Sequence, residues 1–219
     1  MVTFEQIKNS HEIQTYIKMA DKTLRALGYT EHSFAHVTRA AEDAGRLLEA
    51  MGYSEREQEL ARIAGYMHDI GNVINRVDHA QSGAVMAFRI LDHMEMDAEE
   101  IAIIISAIGN HDEGTAAAVN AIAAALILAD KSDVRRTRVR NPDLASFDIH
   151  DRVNYAVTAS KLLFSPDCEA ITLNLTIDTS ISPVMSYFEI FLNRMLLCTK
   201  AADFFGRSFG LVVNGQKLL

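Results

Sequence analysis

Apolar residues recur at helical spacing through most of the chain, and capping residues mark where the predicted helices begin and end. Ser10 is typical of an N-cap and Gly28 of a helix stop. Ser54 with Glu57 has the pattern of a capping box, and so does Asp78 with Gln81. The pattern predicts seven helices, over about 11–27, 31–51, 55–68, 79–93, 98–108, 116–132 and 149–164.

The pattern changes at Pro166. Residues 169–178 alternate apolar and polar side chains and are rich in β-branched residues, which predicts a half-buried strand. An amphipathic helix is predicted over about 183–205, and Asn214-Gly215 between two apolar runs predicts a β-hairpin. We therefore expect a mostly α fold, with a helical domain over residues 1–165. A small α+β tail of strand, helix and hairpin, residues 166–219, is expected to pack on it.

Composition restricts the class of protein. The chain has 219 residues, of which 49% are apolar and 23% charged, as in globular proteins. No apolar run approaches the roughly 18 residues of a membrane helix, and the first residues lack the features of a signal peptide, so a cytoplasmic protein is expected. The chain contains two cysteines, Cys168 and Cys198, which excludes a disulfide framework and a thiolate-rich zinc site.

Charge is unevenly distributed. The formal net charge of −8 disfavours binding to nucleic acid polymers or anionic membranes. Residues 131–140 nevertheless carry five basic side chains against one acidic one, Asp133. If the preceding helix continues past Ser132, Arg138 lies two turns from Asp130 and could bind a substrate phosphate; if the helix ends early, Arg135 could do so. The alternative is that these basic residues only cap a helix end.

Four histidines and two aspartates are candidate metal ligands. The dipeptide His68-Asp69 is weak evidence alone, but it ends a predicted helix and is followed by Ile70-Gly71, which lets the chain turn. Asp130 lies in an apolar helix, where an unpaired carboxylate facing the core would be costly unless a cation were bound. The full candidate set is His36, His68, Asp69, His79, His111 and Asp130.

The ordered set His36 in HVTR, His68-Asp69 in MHDIGN and Asp130 in LADKSD resembles the HD-domain metal-dependent phosphohydrolase superfamily. The resemblance covers about residues 30–140 and implies an all-α core. His79 in DHAQSGA and His111 in IGNHDEG are similar to the additional histidines of its two-metal branches, which include bacterial diadenosine-tetraphosphate hydrolases. Position 72 is Asn where many members have Lys. The GYP signature of the cyclic-di-GMP phosphodiesterases is missing after His111.

Imidazoles and carboxylates without thiolates suit Fe, Mn, Co, Ni or Zn. We expect two divalent transition-metal ions, one held by His36, His68, Asp69 and Asp130 and a second by His79 and His111, with Asp69 bridging them. Asp69 is accordingly expected to be essential for catalysis. Asp112 and Glu113 are candidates to orient His111. Arg39 and Lys131 are candidates to bind phosphate or to pair with acids.

The resulting functional hypothesis is hydrolysis of phosphate esters or anhydrides of small molecules, nucleotides first, by metal-activated water. One alternative is an HD-type di-iron oxygenase, and another is a regulatory module that binds a nucleotide without turnover. The sequence leaves open whether two copies form a homodimer. The remaining histidines, His11, His32, His93 and His150, are expected at the surface.

Overall fold

The computed structural model describes residues 1–165 and 169–219, so Cys168 and the predicted change of structure at Pro166 lie outside the described residues. The fold is mostly helical with a small sheet near the C terminus, which confirms the predicted fold class. The helices are α1 (Phe4–Asn9), α2 (His11–Ala26), α3 (Phe34–Ala50), α4 (Glu55–Met67), α5 (His79–His93), α6 (Ala98–Gly109), α7 (Ala121–Lys131), α8 (Ile149–Ala156) and α9 (Val184–Phe204). The strands are β1 (Val157–Phe164), β2 (Ala170–Ile177), β3 (Ser208–Val213) and β4 (Gln216–Lys217).

Side-chain caps explain several helix starts. The capping box at α4 is confirmed, because Ser54 accepts from the Glu57 amide and the Glu57 carboxylate accepts from the Ser54 amide. The box predicted for α5 is wrong. Asp78 lies in the left-handed region with φ of 56° and makes no side-chain cap, while Gln81 donates to the Gly109 carbonyl instead. Helix α5 nevertheless spans the predicted residues.

Two predicted helices begin later than expected. Helix α3 starts at Phe34 rather than near residue 31, because Ser33 is in an extended conformation and its amide donates to the Glu31 carboxylate. Helix α7 starts at Ala121, after Asn120 accepts from the Ala123 amide, and not at residue 116. Helix α7 also ends at Lys131, so the continuation past Ser132 does not occur.

The helix predicted over 149–164 is wrong in its second half. Helix α8 ends at Ala156, and strand β1 follows directly. Strand β1 pairs antiparallel with β2, so its backbone groups are bonded across strands instead of within a helix. Val157 and Leu162 of β1 are buried. The local apolar pattern did not distinguish the two structures.

The four strands form one sheet in the order β1-β2-β3-β4. Strands β2 and β3 are parallel and are connected through α9, which packs on both β3 and α7. The predicted hairpin is confirmed: Asn214 and Gly215 have φ of 52° and 80° and connect β3 to β4. The division into residues 1–165 and 166–219 stays a prediction, and β1 joins the sheet from the first of these two parts.

The core is continuous through the helical layers. Helix α3 packs against both α4 and α7, and α4 also packs against α6 and α7. Among the described residues, no helix combines the length and the apolar character needed to span a lipid bilayer.

Burial should protect the thiol of Cys198. Its side chain is buried in α9, and this burial raises the pKa of the thiol to about 12, so very little thiolate forms at neutral pH. We expect iodoacetamide at pH 8 to alkylate Cys198 only in denaturant, as measured by mass spectrometry of the α9 peptide. Rapid alkylation of that peptide in the native protein would contradict this placement.

Candidate metal centre

The structure brings all six predicted ligands into one group, which we call the His/Asp cluster: His36, His68, Asp69, His79, His111 and Asp130. His36 lies in the first turn of α3, His68 follows α4, and Asp130 lies in the last turn of α7. Because these three helices pack on one another, their side chains meet. The Nε2 atom of His36 lies 3.2 Å from Asp130 Oδ1 and 3.6 Å from Asp69 Oδ2.

Asp69 occupies the middle of the cluster. Its Oδ2 atom faces His68 Nε2 at 3.4 Å, and its Oδ1 atom faces His79 Nε2 at 3.5 Å. His79 begins α5, and His111 follows α6; their Nε2 atoms are 3.2 Å apart. Asn72 donates to Asp69 Oδ1 at 2.8 Å and to the Asp69 carbonyl at 2.9 Å, which fixes the orientation of the carboxylate. One carboxylate therefore faces imidazoles on two sides.

All four histidines of the cluster are held through their Nδ1 atoms. The pairs are His36 with Asp133 Oδ2 at 2.8 Å, His68 with the Gly65 carbonyl at 2.7 Å, His79 with the Arg76 carbonyl at 3.0 Å and His111 with the Ile108 carbonyl at 2.6 Å. A carbonyl acceptor requires Nδ1 to carry the proton, which leaves the Nε2 lone pair available. Such partners are typical of metal-binding histidines.

The expectation that Asp112 and Glu113 orient His111 is wrong, because the Ile108 carbonyl holds its ring. The Glu113 carboxylate instead accepts from Arg194 Nε. Asp112 Oδ1 lies 3.8 Å from Arg76 Nη2.

Three atoms of the cluster are buried without a hydrogen-bond partner among the described residues: His36 Nε2, His68 Nε2 and Asp69 Oδ2. Unbonded buried polar atoms are costly, and a cation would satisfy all three at once. Donor atoms that lie within 4.8 Å of one another form two overlapping groups, His36 with His68 and Asp130, and His68 with Asp69 and His111. The residues present therefore fit divalent transition-metal ions.

The pKa shifts in the cluster favour an ionised Asp69 carboxylate beside a neutral His111 imidazole. Burial alone would raise the pKa of Asp69, but the neighbouring His68 and other imidazoles hold it well below its usual value. Burial opposes protonation of His68, yet Asp69 and Asp130 raise its pKa. Burial keeps the pKa of His111 well below its usual value, so this imidazole is neutral at pH 7.

A cavity of about 500 Å³ opens above the His/Asp cluster. Its lining carries four cationic side chains, Arg76, Lys131, Arg138 and Arg194. Lys131 is buried and donates from Nζ to Asp130 Oδ2 at 2.7 Å, so it pairs with an acid. The cluster thus forms part of the wall of a cavity that combines acidic and basic groups.

The basic strip is arranged differently from the prediction. Because α7 ends at Lys131, residues 130, 134 and 138 do not share a helical face. A 3₁₀ turn instead returns Arg138 to the cavity, where Nε donates to the Glu31 carbonyl at 2.8 Å and Nη1 to the Asp133 carbonyl at 2.7 Å. Early termination of the helix was expected to favour Arg135, but this residue is not part of the cavity lining and donates to Asp133 Oδ1 at 2.8 Å.

Arg39 is also missing from the cavity lining. Its guanidinium donates to the Ser160 carbonyl and lies 3.5 Å from Asp133 Oδ1 and 3.6 Å from Asp43 Oδ2. Of its two predicted roles, pairing with acids is the one its position allows.

Sequence reasoning missed several residues around the site. Asp133 is fully buried and holds His36, yet in the sequence it is the single acid in a basic strip. Its spacing of three residues from Asp130 was the available signal. His150 is exposed as expected and also lines the cavity, whereas His32, expected at the surface, is partly buried there. Helix α9 adds Phe191 and Arg194 from a distant part of the chain.

Comparison with known proteins gives three findings. A family model described as HD domain matches residues 33–153, a range that contains the whole His/Asp cluster. An uncharacterized protein of Methanocaldococcus jannaschii is 26% identical over 173 residues, which are 68% of this chain and 66% of that protein, slightly less than two thirds of its length. The crystal structure of a predicted HD superfamily hydrolase from an uncultured Thermotogales bacterium is 25% identical, with a TM-score of 0.46, over 62% of this chain and 75% of that one.

Proposed function

Because the chain belongs to the HD domain family, we propose that it is a metal-dependent hydrolase of phosphate esters or anhydrides of small molecules, nucleotides first. The observation that supports this function best is the convergence of unbonded His36 Nε2, His68 Nε2 and Asp69 Oδ2 beside a cavity whose lining includes three arginines and one lysine.

The ligand assignment is part of the proposal. His36, His68, Asp69 and Asp130 hold one divalent cation, and His79 with His111 holds a second, with Asp69 shared between the two. A bound pair of such cations lowers the pKa of water and stabilises charge on a phosphoryl group. The cluster's second layer, in which Asn72 bonds Asp69 and Asp133 bonds His36, keeps the donor atoms oriented.

The four basic side chains of the cavity favour an anionic substrate. The protein has a net charge of −8, so a polyanion experiences long-range repulsion that local positive charge must offset. Arg138 is fixed by two carbonyls through Nε and Nη1, which leaves Nη2 available to donate to a phosphate oxygen. These basic side chains would fit an anionic substrate of either reaction, and the products of the assay below distinguish phosphohydrolysis from oxygenation.

The proposed function is tested by phosphate release from ADP, AMP and p-nitrophenyl phosphate. Three samples are compared: metal-loaded protein, protein treated with EDTA, and EDTA-treated protein to which Mn²⁺ or Co²⁺ has been added back. We expect release that is lost on chelation and restored by the metal. Oxygen consumption without phosphate release would instead favour the oxygenase, and nucleotide binding without product would favour the regulatory module.

Arg138→Lys should raise KM for ADP about tenfold, because lysine keeps the charge but loses the fixed guanidinium fork. Arg136→Lys is the matched control, since Arg136 is not part of the cavity lining. Steady-state kinetics measures both variants below their unfolding temperatures. Equal KM values for the two variants and the parent would show that Arg138 bonds the two backbone carbonyls but does not bind the substrate.

A further inference from the structure

Helix α9 completes the cavity wall. It lies outside residues 33–153, which the family model matches, yet it contributes Phe191 and Arg194 to the lining. It packs against α7, the helix that carries Asp130. A segment beyond the family's shared core therefore shapes the space next to the His/Asp cluster.

Arg194 is held in one orientation. Its Nε atom donates to the Glu113 carboxylate, and its guanidinium stacks on the Phe191 ring with the carbon 4.4 Å from the ring centroid. Phe191 is buried, and the Arg194 side chain is 25% exposed. Within the described parts of the chain, neither Nη1 nor Nη2 of Arg194 has a hydrogen-bond acceptor. Such a fixed pair of donors matches a phosphate or carboxylate.

The other basic side chains of the cavity also make hydrogen bonds or ion pairs. Lys131 pairs with Asp130, and Arg76 lies between Asp112 and the His79 ring. Arg138 has one terminal nitrogen left after its two carbonyl bonds. These contacts leave Arg138 and Arg194 as the two cavity arginines best able to accept an anion.

These two arginines are anchored to different residues near the cluster. Arg138 is tied to the carbonyl of Asp133, whose carboxylate holds His36. Arg194 is tied to Glu113, two residues after His111. The cavity therefore offers two separately anchored guanidinium groups to an anionic ligand.

We propose, on the basis of the proposed function, that Arg194 binds a second anionic group of the substrate while the scissile phosphate lies at the cluster near Arg138. The preferred substrate then carries two anionic groups, as a nucleoside diphosphate does. The cavity of about 500 Å³ is of the size that encloses small ligands. Helix α9 would thereby select substrates by charge.

Isothermal titration calorimetry on the metal-loaded full chain tests this with two probes that resist loss of the terminal phosphate. They are α,β-methylene-ADP, with two anionic groups, and the 5′-methylenephosphonate analogue of AMP, with one. The parent should bind the first about tenfold more tightly. Arg194→Ala should remove this difference without weakening the one-anion probe, and Arg194→Lys should keep part of it. Lys200→Ala, at an exposed position of the same helix, should behave as the parent.

Equal affinity of the parent for the two probes would overturn the proposal, and so would an equal loss for both probes in Arg194→Ala. Thermal unfolding of each variant shows that it is folded during the titration. Phosphate release from ADP is measured in the same preparations. If no phosphate is released, the proposed hydrolysis is wrong. The titration still shows whether Arg194 binds a second anionic group.

Discussion

Asp69→Asn is expected to lower phosphate release at least about a thousandfold, equivalent to about 4 kcal/mol of transition-state stabilisation. The two carboxylate oxygens face imidazoles on opposite sides, Oδ2 toward His68 and Oδ1 toward His79. An amide offers one uncharged oxygen and an NH₂ group that cannot bind a cation. The nearly isosteric change should preserve the fold, because the bond from Asn72 to the backbone carbonyl remains.

The matched control for this prediction is Asp43→Asn. Asp43 is also buried, but it pairs with Arg46 at 2.9 Å and is not part of the cavity lining. This control should lose some stability and keep the parental turnover. Steady-state rates at saturating metal compare the two variants, and a near-parental rate for Asp69→Asn would contradict its assigned role.

Two metal equivalents per chain are expected after saturation, and His79→Ala and His111→Ala should each retain about one. The reason is that His79 lies on the Oδ1 side of Asp69 and faces His111 across 3.2 Å, whereas His36 and His68 lie on the Oδ2 side. Removing one ligand of the second group leaves the first group complete. Elemental analysis of desalted protein measures the change.

His32→Ala is the control for the metal content, because His32 lines the cavity without belonging to the His/Asp cluster. It should keep both equivalents. If His79→Ala and His111→Ala bind as much metal as the parent, the two-metal arrangement is wrong, even if metal-dependent hydrolysis is observed.

Local signals in the sequence predicted most of the helical fold. The capping residues Ser10 and Ser54 both make the expected side-chain bonds, since a cap depends on a few neighbouring residues. The failure at β1 has a different cause. Its structure depends on pairing with β2 across the chain, and no local pattern of residues 157–164 records that partner.

The six members of the His/Asp cluster could be proposed from residue type, spacing and family resemblance. Their supporting contacts could not. Three of the four histidines are held by backbone carbonyls, which leave no trace in residue identity. The contact of Asp133 with His36 could not be predicted, because Asp133 lies among basic residues in the sequence. Arg194 reaches the cavity only because α9 packs on α7, a contact between segments about 60 residues apart.

Attack on phosphorus by water activated at the His/Asp cluster is tested most directly with ¹⁸O-water. The metal-loaded protein hydrolyses ADP in this solvent, and mass spectrometry determines the isotope content of the released phosphate. We expect one ¹⁸O atom in each phosphate from a single turnover, and no release after chelation with EDTA. Phosphate without the label, or release that persists without metal, would contradict the proposed reaction.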